Sequence, residues 1–423
     1  MIEKNNLKTY NENAFLIGAV HSNLSSSKVN EHLKELELLA QTAGANVLHY
    51  FVQKLSKINP SYFIGPGKAK HIIEQAKSLN VSLIIFDDEL SPAQIKNFSN
   101  LSEEVKVIDR SSLILEIFSQ HAKTKEAKTQ VELAQLEYLL PRLTRAWTHL
   151  ERQMGGIGTR AGAGETQIEV DRRLVRTRIS SLKKELIKID QERETQRKKR
   201  KNKYKVALAG YTNAGKSTLM KSLSGSNVHI QDQLFATLDT TIRSVSLDKI
   251  HKILLSDTVG FIRKLPHHLV ASFRSTLKEV VESNLILIVL DASNDYILDH
   301  YETIVDVLKD IEANKETIIV LNKIDKITSK SNFSFLKNTF PDGIFISALN
   351  QLRIESLINS IIDKMDKDYR TIEIKLPYEK PKEIAFSQQG VDIIKRDYNN
   401  DHVYLKIRGP SERIDQIQLM LNK

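Results

Sequence analysis

The chain has 423 residues and no cysteine, which excludes a disulfide framework. Lys and Arg number 62 against 52 Asp and Glu, a net charge of +10. No apolar run reaches the roughly 18 residues of a membrane-spanning helix, and the opening Met1-Ile2-Glu3-Lys4-Asn5-Asn6 is not a signal peptide, so a cytoplasmic protein without stable membrane insertion is expected.

Over residues 1–120, Phe15 to Val20, Val47 to Val52, Leu83 to Phe86 and Val105 to Ile108 read as strands. Helical patterns such as Val29 to Ala43 and Lys68 to Leu79 separate them, which predicts a small α/β domain. Gly65-Pro66-Gly67-Lys68 resembles a phosphate loop only superficially and is expected to open a helix; a second nucleotide site is the alternative.

Residues 121–203 show two amphipathic patterns. Leu133, Leu136, Leu140, Leu143, Trp147 and Leu150 recur at steps of three and four, as do Val175, Ile179, Leu182, Leu186 and Ile189. The glycine-rich stretch Gly155 to Gly164 cannot continue a helix cheaply, so an antiparallel helical hairpin with a long tip is predicted. Pro141 should kink or end the first helix. From Arg172 to Lys205 there are fifteen Lys or Arg and four Asp or Glu, so this segment holds the whole positive excess. Such a concentration marks a phosphate backbone or an anionic surface as partner. Arg172, Arg173, Arg176, Arg178, Lys183 and Lys184 are expected to contact phosphates, and Arg160 on the tip to probe RNA.

The segment 204–366 carries the chemistry. Val206-Ala207-Leu208-Ala209 reads as a buried strand, followed by Gly210-Tyr211-Thr212-Asn213-Ala214-Gly215-Lys216-Ser217 and a helical pattern. In a phosphate loop of this form, backbone N–H groups wrap the phosphates, Lys216 reaches the terminal ones and Ser217 ligates Mg2+. Phe235-Ala236-Thr237-Leu238-Asp239-Thr240-Thr241 offers a second hydroxyl ligand; Thr237, Thr240 and Thr241 are the candidates. Asp257-Thr258-Val259-Gly260 follows the apolar Ile253-Leu254-Leu255, so Asp257 can hold a metal-bound water and the Gly260 N–H can approach the γ-phosphate.

Many GTPases place a glutamine after that glycine to orient water. Here it is Phe261, which cannot. Catalytic help must come from a monovalent cation such as K+ held partly by Asn213, from a residue of this chain that moves in, or from the partner, and a slow intrinsic rate is expected. His267 and His268 could approach the γ-phosphate but read better as solvated residues at a helix start.

Base choice falls to Asn322-Lys323-Ile324-Asp325, after the apolar run Thr317 to Leu321. Asp325 can accept two hydrogen bonds from guanine, whereas adenine presents an acceptor that would leave the carboxylate unpaired. Ser347-Ala348-Leu349, after Ile344-Phe345-Ile346, fits a backbone contact behind the base. Over 367–423, Thr371 to Leu376, Val391 to Arg396, Val403 to Arg408 and Ile414 to Leu421 predict a small α+β module.

The phosphate loop, Phe235-Ala236-Thr237-Leu238-Asp239, Asp257-Thr258-Val259-Gly260-Phe261, Asn322 to Asp325, Gln130 to Leu136 and Leu139-Leu140-Pro141-Arg142-Leu143 together resemble the HflX family of translation-factor-related GTPases. The resemblance spans almost the whole chain. It implies Thr237 as the metal-binding threonine, a P-loop GTPase fold, GTP and GDP as ligands, and the large ribosomal subunit and 70S ribosome as partners. Some members split stalled or idle ribosomes under stress. One departure concerns the hairpin tip. The family commonly has Gly-Thr-Arg-Gly-Pro-Gly-Glu-Thr-Gln, whereas Gly158-Thr159-Arg160 is followed here by Ala161-Gly162-Ala163-Gly164 before Glu165-Thr166-Gln167, one residue longer and without proline. A monomeric, ribosome-associated GTPase is therefore expected; the alternative is a GTP-dependent switch on a protein partner or, peripherally, on an anionic membrane surface.

Overall fold

Apolar residues occupy consecutive positions in segments such as Phe15-Leu16-Ile17 and Leu83-Ile84-Ile85-Phe86, a pattern that requires both faces of a sheet to be covered. The computed structural model describes residues 12–21, 24–143, 167–198, 203–225, 235, 241–249, 251–258, 260–264, 274–399 and 401–421. The chain divides into two compact units. The first is Met1–Ile187 with Asp232–Leu238 and Lys264–Phe273; the second is Lys188–Gln231, Asp239–Arg263 and Arg274–Lys423.

In the first unit, β1 (Glu12–Val20), β2 (Ala45–Lys54), β3 (Leu83–Phe86) and β4 (Lys106–Asp109) form a parallel sheet in the order β2-β1-β3-β4. The helices α1 (Ser26–Thr42), α2 (Pro66–Ser78), α3 (Pro92–Leu101) and α4 (Arg110–His121) alternate with the strands. Phe15, Ile17, Phe51, Ile72, Phe86 and Phe98 share one core. Gly65 caps α2, with Pro66 in its first turn, so Gly65-Pro66-Gly67-Lys68 opens a helix. The Lys68 ammonium lies 5.0 Å from the centre of the Phe51 ring.

The carboxyl ends of β3 and β4 gather a buried polar cluster. Arg110 donates to Asp87 and to Glu35, each at 2.7 Å, and Lys264 donates to Asp87 at 2.6 Å and Asp88 at 2.7 Å. Asp109 caps α4 by accepting from the Ser112 N–H, and also accepts from the Tyr138 hydroxyl at 2.8 Å.

The hairpin follows. Helix α5 (Lys125–Leu139) runs into a single 3-10 turn, Leu140–Arg142, and α6 (Gln167–Lys198) returns. Pro141 lies in that turn, so the first helix stops rather than kinks, because proline has no N–H to continue it. Arg142 is buried there, donating to the carbonyls of Tyr138 and Leu90 and to Glu89, with its guanidinium 3.7 Å from the Tyr138 ring centre. Leu133, Leu136, Leu143, Val175 and Leu182 form the seam, with Leu140, Ile179 and Leu186 against it. Trp147, Leu150 and the glycine-rich tip with Arg160 lie outside the described residues.

The basic residues of the hairpin also bond within it. Arg178 makes a two-pronged bond to Glu132 at 2.6 and 2.9 Å, Lys183 pairs with Glu137 at 2.8 Å, and Arg172 donates to the Leu143 carbonyl at 3.1 Å. Three of the six cations expected to contact phosphate thus also bond across the hairpin, with Arg172 and Lys183 still exposed. Arg176, Lys184 and Lys188 are exposed along α6.

In the second unit, β5 (Tyr204–Gly210), β6 (Thr241–Ser246), β7 (Lys252–Asp257), β8 (Leu285–Asp291), β9 (Glu316–Asn322) and β10 (Ile344–Phe345) form a sheet ordered β10-β9-β8-β5-β7-β6. All neighbours run parallel except β6 and β7. Helices α7 (Lys216–Ser224), α8 (Arg274–Val281), α9 (Ile297–Asp310), α10 (Lys330–Thr339) and α11 (Ile354–Asp368) connect them. Val206, Leu208, Leu219, Leu255, Leu287 and Val320 are central to its core.

Three antiparallel strands follow, β11 (Tyr369–Pro377), β12 (Asp392–Tyr398) and β13 (His402–Pro410), in the order β11-β13-β12. Helices α12 (Pro381–Gln388) and α13 (Ser411–Leu421) complete this module over Leu405, Ile407, Ile414 and Ile417. Arg408 is only 2% exposed and donates to Asp366 of α11 at 2.6 Å, which ties the module to the larger sheet's last helix.

Candidate nucleotide site

Ligands of open parallel sheets bind beyond the carboxyl ends of the strands. In the second unit those ends carry Gly210, Asp257, Asp291 and Asn322, closing β5, β7, β8 and β9.

Between β5 and α7 the chain turns through 211–215, and α7 begins at Lys216 with Gly215 as its N-cap, φ +91°. Among the described residues no side chain caps that helix start, and the positive end of the helix dipole there favours an anion. Gly215 is required twice over: its φ disfavours a side chain, and an added Cβ would lie 2.3 Å from Nδ2 of Asn322. Asn213 has φ +59°, the left-handed conformation that asparagine tolerates in turns.

Lys216 is buried and its Nζ donates to the carbonyls of Gly210 at 3.0 Å and Tyr211 at 2.8 Å. Burial pushes its pKa down to about 8, against the opposing pull of Asp257. The Ser217 hydroxyl donates to Asp257 at 2.6 Å. This pair of hard oxygen donors fits a Mg2+ ion, with Asp257 acting directly or through water. Thr258 is fully buried and spends its hydroxyl on the Leu208 carbonyl at 2.6 Å.

Gly260 and Phe261 lie directly on the phosphate loop. The Phe261 N–H donates to the Gly210 carbonyl at 3.0 Å, and its carbonyl accepts from the Thr212 N–H at 2.8 Å. A Cβ on Gly260 would come within 2.9 Å of the Thr212 Cα and 3.1 Å of Lys216 Nζ, so only glycine allows this approach. Phe261 is 3% exposed, and its ring is packed rather than offered to water.

The segment expected to read the base, 322–325, is joined to the phosphate loop by Asn322. Its Nδ2 donates to the Ala214 carbonyl and its Oδ1 accepts from the Ala348 N–H, both at 2.9 Å. Asn322 therefore braces two loops. Lys323 adopts φ +63° and pairs with Asp291 at 2.7 Å. Ile324 and Asp325 lie in a 3-10 turn in which Asp325 is exposed. Ser347 and Ala348 are buried, with the Ser347 hydroxyl accepting from the Asn350 N–H, whereas Leu349 is 71% exposed.

The sequence reading did not include Asp291. Its signal was present: the apolar run Leu285 to Leu290 ends in an aspartate, as the strand before Asp257 does. Phe235 belongs to the first unit, where its buried ring meets Phe118 edge-on with centres 4.6 Å apart. Ala236, Thr237, Leu238, Asp239, Val259, His267 and His268 lie outside the described residues.

Comparison with known proteins matches residues 30–119 to the model of a GTP-binding GTPase N-terminal region, 121–200 to a GTP-binding GTPase middle region and 205–323 to a 50S ribosome-binding GTPase. The chain is 45% identical to the GTPase HflX of Flavobacterium psychrophilum over 402 residues, covering 90% of this chain and 95% of that one. It is 42% identical to the GTPase HflX of Escherichia coli over 362 residues, covering 85% of this chain and 84% of that one. Among solved structures, a GTP-binding protein of Sulfolobus solfataricus in complex with GDP matches with 26% identity and a TM-score of 0.45, covering 84% of this chain and 99% of that one. Identity at this level over nearly the full length of both chains shows that the protein belongs to the HflX family of GTPases.

Proposed function

We propose that this GTPase acts on the ribosome, binding the large subunit and the 70S particle and splitting or rescuing stalled or idle ribosomes under stress. The observation that carries this reading is the joining, in one chain, of a guanine-nucleotide site to a hairpin segment that holds the whole positive excess, fifteen basic against four acidic residues from Arg172 to Lys205. The match of residues 205–323 to a 50S ribosome-binding GTPase supports it. Its working parts are 1–120, the hairpin 121–203 with its glycine-rich tip, the GTPase domain 204–366 and the module 367–423, acting as a cytoplasmic monomer.

In this reading the loop 210–217 holds the phosphates, Asp325 selects guanine, and Ala348 backs the base. Ser217 and Thr237 would hold Mg2+, which neutralises phosphate charge when bound. Lys216 places its ammonium at the terminal phosphates, and Gly260 offers its N–H to the γ-phosphate. Phe261 cannot orient water, so turnover is slow until the ribosome supplies the missing order, with K+ at Asn213 as a second source tested by exchanging K+ for Na+. The test is GTP turnover with purified particles. The 50S and 70S particles should raise the rate and the 30S subunit should not; a rate indifferent to all three would refute the proposal.

A further inference from the structure

The backbone of a phosphate loop does the work of cradling phosphates, so the side chain at its second position can take on another task. Here that side chain is Tyr211, 5% exposed. Its ring is stacked face to face on His300 of α9, with centres 3.8 Å apart and planes 4° from parallel. Its phenol oxygen accepts a hydrogen bond from the Arg263 N–H at 2.9 Å. The backbone around it carries a second set of ties to the same segment: Phe261 bridges to Gly210 and Thr212, at 3.0 and 2.8 Å.

The segment so held is the one that leaves Asp257 and Gly260. Both must keep a fixed register with Lys216 and Ser217, because misplacement of groups around the reacting phosphate is costly in rate. A packed phenylalanine stands where a water-orienting side chain would be, so that register depends on the backbone. Two points define it: the Phe261 bridge, and the Arg263 N–H two residues on. Tyr211 supplies the second, and the stack with His300 removes the ring's freedom to swing away.

We propose that Tyr211 is a positioning residue for GTP hydrolysis, its phenol oxygen fixing the backbone at Arg263 and its ring fixed in turn by His300. The inference rests on the nucleotide-site reading above. Tyr211→Phe keeps the ring and the stack but removes the acceptor. Its kcat for GTP should fall about tenfold, the scale of one hydrogen bond, while KM for GTP and Kd for GDP stay within about twofold. His300→Leu should also lower kcat, and His300→Phe, which keeps an aromatic partner, should restore most of it. Wild-type turnover in Tyr211→Phe would overturn the inference while leaving the nucleotide site intact. A parallel loss of turnover and GDP affinity would overturn it too, since Tyr211 would then only maintain the loop. Failure of the wild-type protein to bind GDP would instead remove the site reading on which both rest.

Discussion

Asn322 donates through Nδ2 to the carbonyl of Ala214 at 2.9 Å, so the segment 322–325 and the loop 210–217 share one side chain. Its other end accepts from the Ala348 N–H, which makes Asn322 a brace between three segments. Asn322→Ala would orphan a buried carbonyl and a buried N–H. At about 1–3 kcal/mol for each stranded group, Kd for GDP and GTP should rise together by at least about tenfold. Titration with a fluorescent GDP analogue measures this, and unchanged affinity would show that the two loops do not depend on each other.

Asp325 is exposed in its 3-10 turn, open to a base. Asp325→Asn should weaken GTP by about a hundredfold and shift preference toward xanthosine triphosphate, because an amide can donate to the carbonyl that xanthine carries. Competition binding among GTP, XTP and ATP gives the readout. An equal loss for all three counts against Asp325 as the base reader.

Lys216 links the site to pH. Its pKa is lowered to about 8 from 10.5 by burial, which disfavours the ammonium relative to the neutral amine. Because the folded value lies below the unfolded one, Lys216 adds stability to the nucleotide-free protein as pH rises from about 8 toward 10.5. Phosphates restore the charge. GDP binding at pH 9 should therefore take up about one proton, and at pH 6.5 none through this group. Calorimetry in buffers of different ionisation enthalpy reads the number directly, and Lys216→Met should abolish the pH 9 uptake.

Asp87 in the first unit gives the opposite dependence. Burial alone would raise its pKa, but the hydrogen bond from His32, the charges of Arg110 and Lys264 and the bond from Lys264 together hold it well below the ordinary 3.8. Its contribution to stability is present above that value and is lost as pH falls through and below it. Asp87→Asn would take one of two carboxylate partners from Arg110, 3% exposed, leaving it Glu35, and should cost about 3 kcal/mol. Denaturant titrations of both proteins at pH 7 and pH 2 test this: the difference should shrink at the lower pH.

Local chemistry was legible in the sequence because it is written in short spacings. Gly210 to Ser217, Asp257 to Gly260 and Asn322 to Asp325 each lie on one strand end, and the apolar runs before them mark those ends. The four strands of the first sheet, four of the six in the second and the stop at Pro141 followed from the same local rules, whereas Thr241–Ser246 and Leu285–Asp291 were not read as strands. Partnerships across long separations were not legible. Arg178 meets Glu132 across 46 positions, and Lys264 meets Asp87 across 177, so neither leaves a periodic trace. For the same reason a count of positive charge could not show that Arg172, Arg178 and Lys183 bond across the hairpin. Tyr211 read as an ordinary loop residue until His300 and Arg263 appeared beside it.

The most direct test of ribosome action through the basic hairpin is cosedimentation with purified 50S and 70S particles over a salt series, in GDP, GTP and a nonhydrolysable GTP analogue. The wild-type protein should pellet most strongly with the analogue, and its affinity should fall steeply with salt. Replacing Arg176, Lys184 and Lys188 together by Gln should weaken binding and flatten that slope, by about one unit for each phosphate no longer neutralised, with GDP affinity unchanged. Binding that ignores the nucleotide, or a triple variant with the wild-type slope, would contradict the account.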